Sequence, residues 1–181
     1  MRYIKGFSNF NETTKTWIKS AIRQTYNFNL DSCPWMMEQL SDYWYCCYNE
    51  SDMNYPIAFA FVPTLTDGGN YNACTYAKDF WNRLTPQMFH IEMQNDISII
   101  LMFGFVRPEY RRKYIFTSLC NYIDFELNDI LSESQVIRRS YCITNGSISE
   151  TVAGNFGYTK YSSNLFYIPV TSNKHIWPDL A

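Results

Sequence analysis

The chain has 181 residues, of which 46% are hydrophobic and 18% charged, so it can bury a core and is not expected to be disordered. A net charge of −2 and a pI near 5.7 point away from nucleic acid as a partner, because phosphate binding needs a concentrated basic face. The longest apolar run, Ile97 to Val106, is about half the ~20 residues of a membrane helix, and Met1 to Gly6 turns polar at once. Neither a membrane partner nor a secretory leader is therefore expected.

The length suits one domain over residues 1–181. The expected setting is cytoplasmic, or within a larger intracellular or viral assembly. Cys33, Cys46, Cys47, Cys74, Cys120 and Cys142 form no C-x-x-C pair, and His90 and His175 are the only histidines. No metal site is expected. Aromatic residues make up 18% of the chain. They fit equally a Tyr-rich core boundary or a surface that seeks a protein partner or a second copy of itself.

Arg2 to Phe7 reads as a first strand. Asn11 to Thr14 offers helix-cap chemistry, and Trp17, Ile18, Ala21, Ile22 and Tyr26 follow at helical spacing. A second helix starts at Asp31 to Pro34, with Trp35, Met36, Met37 and Leu40 as a core-packing stripe. Tyr43 to Tyr48 and Pro56 to Val62 form a hairpin about the turn at Asn49 to Asp52. Gly68-Gly69-Asn70 is expected as loop and Tyr76 to Leu84 as a short helix. Asp96 to Val106 is the strongest strand, and its nearly continuous apolar run predicts burial on both faces. Ile115, Leu119, Tyr122, Ile123, Leu127 and Ile130 then form the buried stripe of a long helix. Gln135 to Ile143 is a strand, Ser147 to Asn155 a short helix capped near Gly157, and Leu165 to Val170 a last strand. This order predicts an α/β fold, with helices flanking a mixed, largely antiparallel central sheet with one crossover. Arg138-Arg139 reads as surface charge, with one side chain facing outward.

The segment Val106-Arg107-Pro108-Glu109-Tyr110-Arg111-Arg112-Lys113-Tyr114-Ile115-Phe116-Thr117-Ser118-Leu119 resembles the core motif of the GNAT acetyltransferase superfamily, V-x-P-x-Y-R-x-x-G-x-G/A-x-x-L. Val106, Pro108, Tyr110, Arg111 and Leu119 match in register. A weaker match runs from Asn145 to Gly157-Tyr158. In layout the resemblance spans the chain, with a family-atypical insert at about 64–95. It implies acetyl-CoA as cofactor if the protein is active, and none otherwise. The pyrophosphate would lie against the loop and helix start, at Arg111, Arg112, Lys113, Tyr114, Phe116 and Thr117, with Val106 and Asn145 nearby. The strand that ends at Val106 would offer free backbone groups to the pantetheine arm.

The sequence departs from the family at both glycine positions, which hold Tyr114 and Phe116. The family's proton-donating Tyr falls on Ala153. No catalytic residue is assigned. His90 reads as structural, and Glu92 and Asp96 as surface carboxylates. Two functions stay open. One is an acyl-CoA-dependent N-acetyltransferase with a degenerate cofactor loop and weak or no catalysis. The other is a non-catalytic GNAT-fold binding or assembly module, for instance a virus-encoded accessory or virion component.

Overall fold

A computed structural model describes residues 1–89, 96–130, 135–170 and 176–177. In chain order the elements are β1 (Arg2–Lys5), α1 (Glu12–Tyr26), α2 (Trp35–Glu38), β2 (Trp44–Asn49), β3 (Asp52–Phe61) and β4 (Thr64–Leu65). They continue with α3 (Asp67–Thr75), β5 (Asp96–Leu101), β6 (Phe103–Val106), α4 (Ile115–Ile130), β7 (Val136–Ile143), α5 (Ser147–Asn155), β8 (Thr159–Lys160) and β9 (Leu165–Pro169). Short 3-10 turns, including Ala77–Asn82 and Pro108–Tyr110, fill several connections. The chain divides into two compact units, residues 1–62 with 103–123, and residues 63–102 with 124–181.

The first unit holds a four-stranded sheet in the order β1-β2-β3-β6, antiparallel throughout. Its core is aromatic. Trp44 is fully buried, stacks on Phe61 with ring centroids 4.3 Å apart, and donates its indole N–H to the Met36 carbonyl at 2.8 Å. Phe7, Phe59 and Phe103 pack around it. A buried indole needs such an acceptor, because an unpaired polar group away from water is costly. Most of the chain's large aromatic side chains are thus spent on packing, with Tyr71, Tyr114, Phe125 and Tyr161 among the exposed exceptions. Helix α1 starts where the Asn11 side chain accepts the Thr14 N–H at 2.8 Å. It ends at Asn27, whose φ of 52° is the left-handed turn that stops a helix.

The second unit holds a five-stranded sheet in the order β4-β5-β7-β9-β8. Only β5 and β7 pair in parallel, and α4 is part of the connection between them. The mixed, largely antiparallel arrangement with one crossover is as the sequence predicts. Tyr158 is buried here, shares a 2.6 Å hydrogen bond with Ser140 and accepts from the Trp177 indole at 2.9 Å.

Three expectations need correction. Asp96 to Val106 is not one strand. It breaks at Met102, and its halves belong to different sheets. No glycine or proline stands at Met102 to announce the break, and the apolar run continues because both halves are needed in a core. Gly68-Gly69-Asn70 is not loop but the start of α3, where the Thr66 hydroxyl caps the Gly69 N–H at 3.1 Å. Gly69 permits close approach, since a Cβ there would lie 2.2 Å from the Met88 carbonyl oxygen. The helix expected over Tyr76 to Leu84 is a 3-10 segment, Ala77–Asn82. His90 and Glu92 lie outside the described residues, as does the side chain of Ile130. Of the stretch expected as an insert, the described residues 64–89 contain β4 and α3, which belong to the second unit.

Two outcomes follow from this packing. Gly69→Ala overpacks against backbone that has no side chain to move aside, and should cost about 1–3 kcal/mol, read as a fall in thermal midpoint of several degrees. Stability should also fall at high pH. Burial pushes the Cys47 thiol up to about 11 and raises Cys46 and the Tyr48 phenol further. The unfolded chain releases these protons from about pH 9 upward while the folded chain keeps them. The stabilisation is complete below about pH 9 and should be lost as pH rises toward 11, as urea titrations across that range would show.

Candidate functional site

Strand β6 is an edge strand of its sheet. Phe103 and Phe105 face β3 in register with Phe61 and Phe59, and the Arg107 N–H reaches the Ile57 carbonyl at 2.9 Å. Alternation therefore turns the backbone groups of Gly104 and Val106 to the unpaired edge. At Gly104 both are occupied by one side chain. The Tyr26 hydroxyl donates to the Gly104 carbonyl at 2.7 Å and accepts from the Gly104 N–H at 3.0 Å. The Val106 carbonyl accepts from Arg111 Nε at 3.1 Å.

The face of Gly104 is covered as well. A Cβ there would stand 2.6 Å from Cζ of Phe116, so the ring lies on the strand where only glycine leaves room. Phe116 is half-buried, as is Thr117 in the same first turn of α4. The turn before the helix is exposed from Arg111 through Tyr114. Arg112 and Tyr114 adopt positive φ, 60° and 55°. For a side-chain-bearing residue this conformation costs about 1–2 kcal/mol. Tyr114 thus keeps the backbone shape that glycine supplies at that motif position, while its ring is 72% exposed. The Arg111 guanidinium lies 5.7 Å from the Phe105 ring centroid, and the Lys113 ammonium 5.3 Å from that of Tyr110.

Arg107 anchors the approach to this turn. Its guanidinium lies 4.6 Å from the Trp17 ring and 4.2 Å from the Tyr55 ring, and Nε donates to the Pro56 carbonyl at 2.6 Å. The Tyr55 hydroxyl donates to Glu109 at 2.8 Å. Hydrogen bonds from its own backbone N–H and from Tyr55 hold the Glu109 carboxyl below its ordinary range.

Val106, Arg111, Arg112, Lys113, Tyr114, Phe116 and Thr117 all belong to the first unit and gather around the end of β6 and the start of α4. Asn145 belongs to the second unit. Its side-chain oxygen accepts from the Ser149 hydroxyl, and that hydroxyl also receives the Asn145 N–H, each at 3.0 Å, which closes the turn into α5. Ala153 is buried in α5 and carries no proton donor. Asp96 is exposed and paired with Arg138. Sequence reasoning missed Tyr26 as a site residue. Helical spacing places it on the apolar stripe of α1, and nothing local indicates that its hydroxyl meets a strand 78 residues away.

By sequence the chain matches no family model and no curated protein. Its structure is similar to solved structures over nearly all its length. A chain of the NatC complex bound to Gag peptide and CoA matches with a TM-score of 0.60 at 13% identity, over 94% of this chain and 98% of that one. This chain has the GNAT fold. NAA60 of Arabidopsis thaliana, in complex with acetyl-CoA, gives 0.59 at 10% identity, over 93% and 99% of the two chains. The GNAT-like decarboxylase GphF, in complex with isobutyryl-CoA, gives 0.53 at 9% identity, over 85% and 71%. At these identities the likeness shows the fold. Among the described residues, no helix is long and apolar enough to cross a membrane.

The packing of this GNAT-like edge can be tested directly. Gly104→Ala drives a methyl group into the Phe116 ring and should destabilise by about 1–3 kcal/mol. Adding Phe116→Leu removes the clash, so the double variant should recover part of that loss in urea unfolding.

Proposed function

We propose that this GNAT-like protein has had its acyl-CoA edge closed by its own side chains, so that acetyl transfer is weak or absent and the fold serves as a binding or assembly module. The observation that carries this reading is Gly104. A pantetheine arm pairs with a strand through amide groups, and the N–H and C=O it would use here already share the Tyr26 hydroxyl. Phe116 lies over the same residue. The residues present at this edge do not fit the cofactor. A protein partner or a second copy of the chain is the occupant proposed for such a module, in the cytoplasm or within a larger intracellular or viral assembly.

The second reading is an acyl-CoA-dependent N-acetyltransferase with acetyl-CoA as donor. It is favoured by one specific feature, the positive φ kept at Arg112 and Tyr114. That feature preserves the loop backbone despite the strain. Structural relatives in complex with CoA or acetyl-CoA add to it.

Calorimetry with acetyl-CoA separates the two. Each hydrogen bond withheld from the pantetheine amides at Gly104 is worth about 0.5–1.5 kcal/mol, so the loss of two weakens binding by roughly one to two powers of ten. The wild-type chain should bind acetyl-CoA no more tightly than about 0.1 mM, and a Tyr26→Phe, Phe116→Leu double variant, which frees the Gly104 N–H and C=O, should gain affinity. Micromolar binding by the wild type would establish the transferase reading instead.

A further inference from the structure

The second unit contains a polar cleft of about 470 Å³, within the size range of small-ligand sites. Its floor is Ser98 on β5, a buried residue whose register partners are Leu65 on β4 and Arg139 on β7. Its walls carry Asp67 at the start of α3, Asp96 on β5 and both Arg138 and Arg139 on β7. Two consecutive strand residues ordinarily point to opposite faces. Here they do not, because the pairing skips a residue. Ile97 is opposite Ile137, and Ser98 is opposite Arg139, which leaves Arg138 as the extra residue of a β-bulge. Both arginines are exposed and both line the cleft. The expectation that Arg138-Arg139 is surface charge holds, with both side chains exposed rather than one.

The charges in the cleft are not all spent on one another. Arg138 Nε is bound to Asp96 at 3.0 Å. Among the described residues, neither the Asp67 carboxylate nor the Arg139 guanidinium has a hydrogen-bond or ion-pair partner. The site therefore offers one open carboxylate from α3 and one open guanidinium from β7, with Ser98 on β5 lining the same cleft. A guanidinium presents a planar fork that matches a carboxylate, and a carboxylate accepts from an ammonium. A dianion would meet the repulsion of Asp67, and a simple cation that of Arg139. The wall that bears Asp67 is held in place, since Gly69 lies directly on the Met88 carbonyl and the Thr66 hydroxyl donates to the Gln87 carbonyl at 3.0 Å.

We propose that this cleft binds a free amino acid, with its carboxylate on Arg139 and its ammonium on Asp67. The site lies wholly within the second unit and stands whether or not the β6 edge accepts acyl-CoA.

The test is calorimetry of the full chain with the twenty common amino acids offered singly. For any that binds, its methyl ester (no carboxylate) and its deaminated acid (no ammonium) are titrated too. At least one amino acid should bind with a Kd below about 1 mM. Its ester and its deaminated acid should each bind roughly tenfold more weakly or worse, as should the parent amino acid to Arg139→Gln and to Asp67→Asn. Both substitutions change exposed side chains, so the melting temperature should fall by no more than a few degrees while binding is lost. If no amino acid saturates the protein below that concentration, or if Arg139→Gln binds as tightly as wild type, the proposal is wrong.

Discussion

A backbone N–H and C=O on an unpaired strand edge must find partners, and at Gly104 one phenol serves both. The organisation of the first unit can be traced from that contact. The hydroxyl belongs to the last residue of α1, and Asn27 takes the left-handed turn that ends the helix. The Tyr26 ring packs edge-on against Phe103 with centroids 5.1 Å apart, which ties the helix end to the aromatic cluster around Trp44. Gly104 has no side chain, and the bare strand surface left there is filled by Phe116 from the first turn of α4. Helix, strand and following helix are thus fixed about a single glycine.

The sequence showed those parts of the fold that rest on local pattern. The apolar stripe of Ile115, Leu119, Ile123 and Leu127 marks α4 by helical spacing, and all four side chains are buried. The hairpin of β2 and β3 follows from two β-rich runs about a polar turn. The motif from Val106 to Leu119 placed most of the candidate site residues together, because they are close in the chain. What it did not show depends on long-range partners. The break at Met102 is decided by two sheets competing for one apolar run, and only the assembled strands reveal it. The helical role of Gly68 and Gly69 contradicts their local preference. It is imposed by the Thr66 cap and by Met88, 19 residues beyond Gly69, at a distance that only glycine tolerates.

The same division separates the two sites. The β6 edge could be anticipated because a continuous motif carries it, although its closure by Tyr26 could not. The cleft at Ser98 draws on three separate stretches of chain, one through β4 and α3, one in β5 and one in β7. Two adjacent arginines in a strand ordinarily mean one side chain on each face, and only a register read against β5 shows otherwise.

The bulge at Arg138 also bears on how such a surface arises. A residue inserted into a regular strand would turn every later side chain to the wrong face and place core residues in water. A bulge absorbs the extra residue locally. Ile137 before it and Ser140 and Tyr141 after it all remain buried. A strand can therefore acquire a second charged group on its solvent side by a single codon insertion, without any compensating change in the interior. Deleting that codon should likewise be tolerated by the fold, which makes this short stretch of β7 a place where recognition can change from one ancestor to the next while the scaffold stays the same.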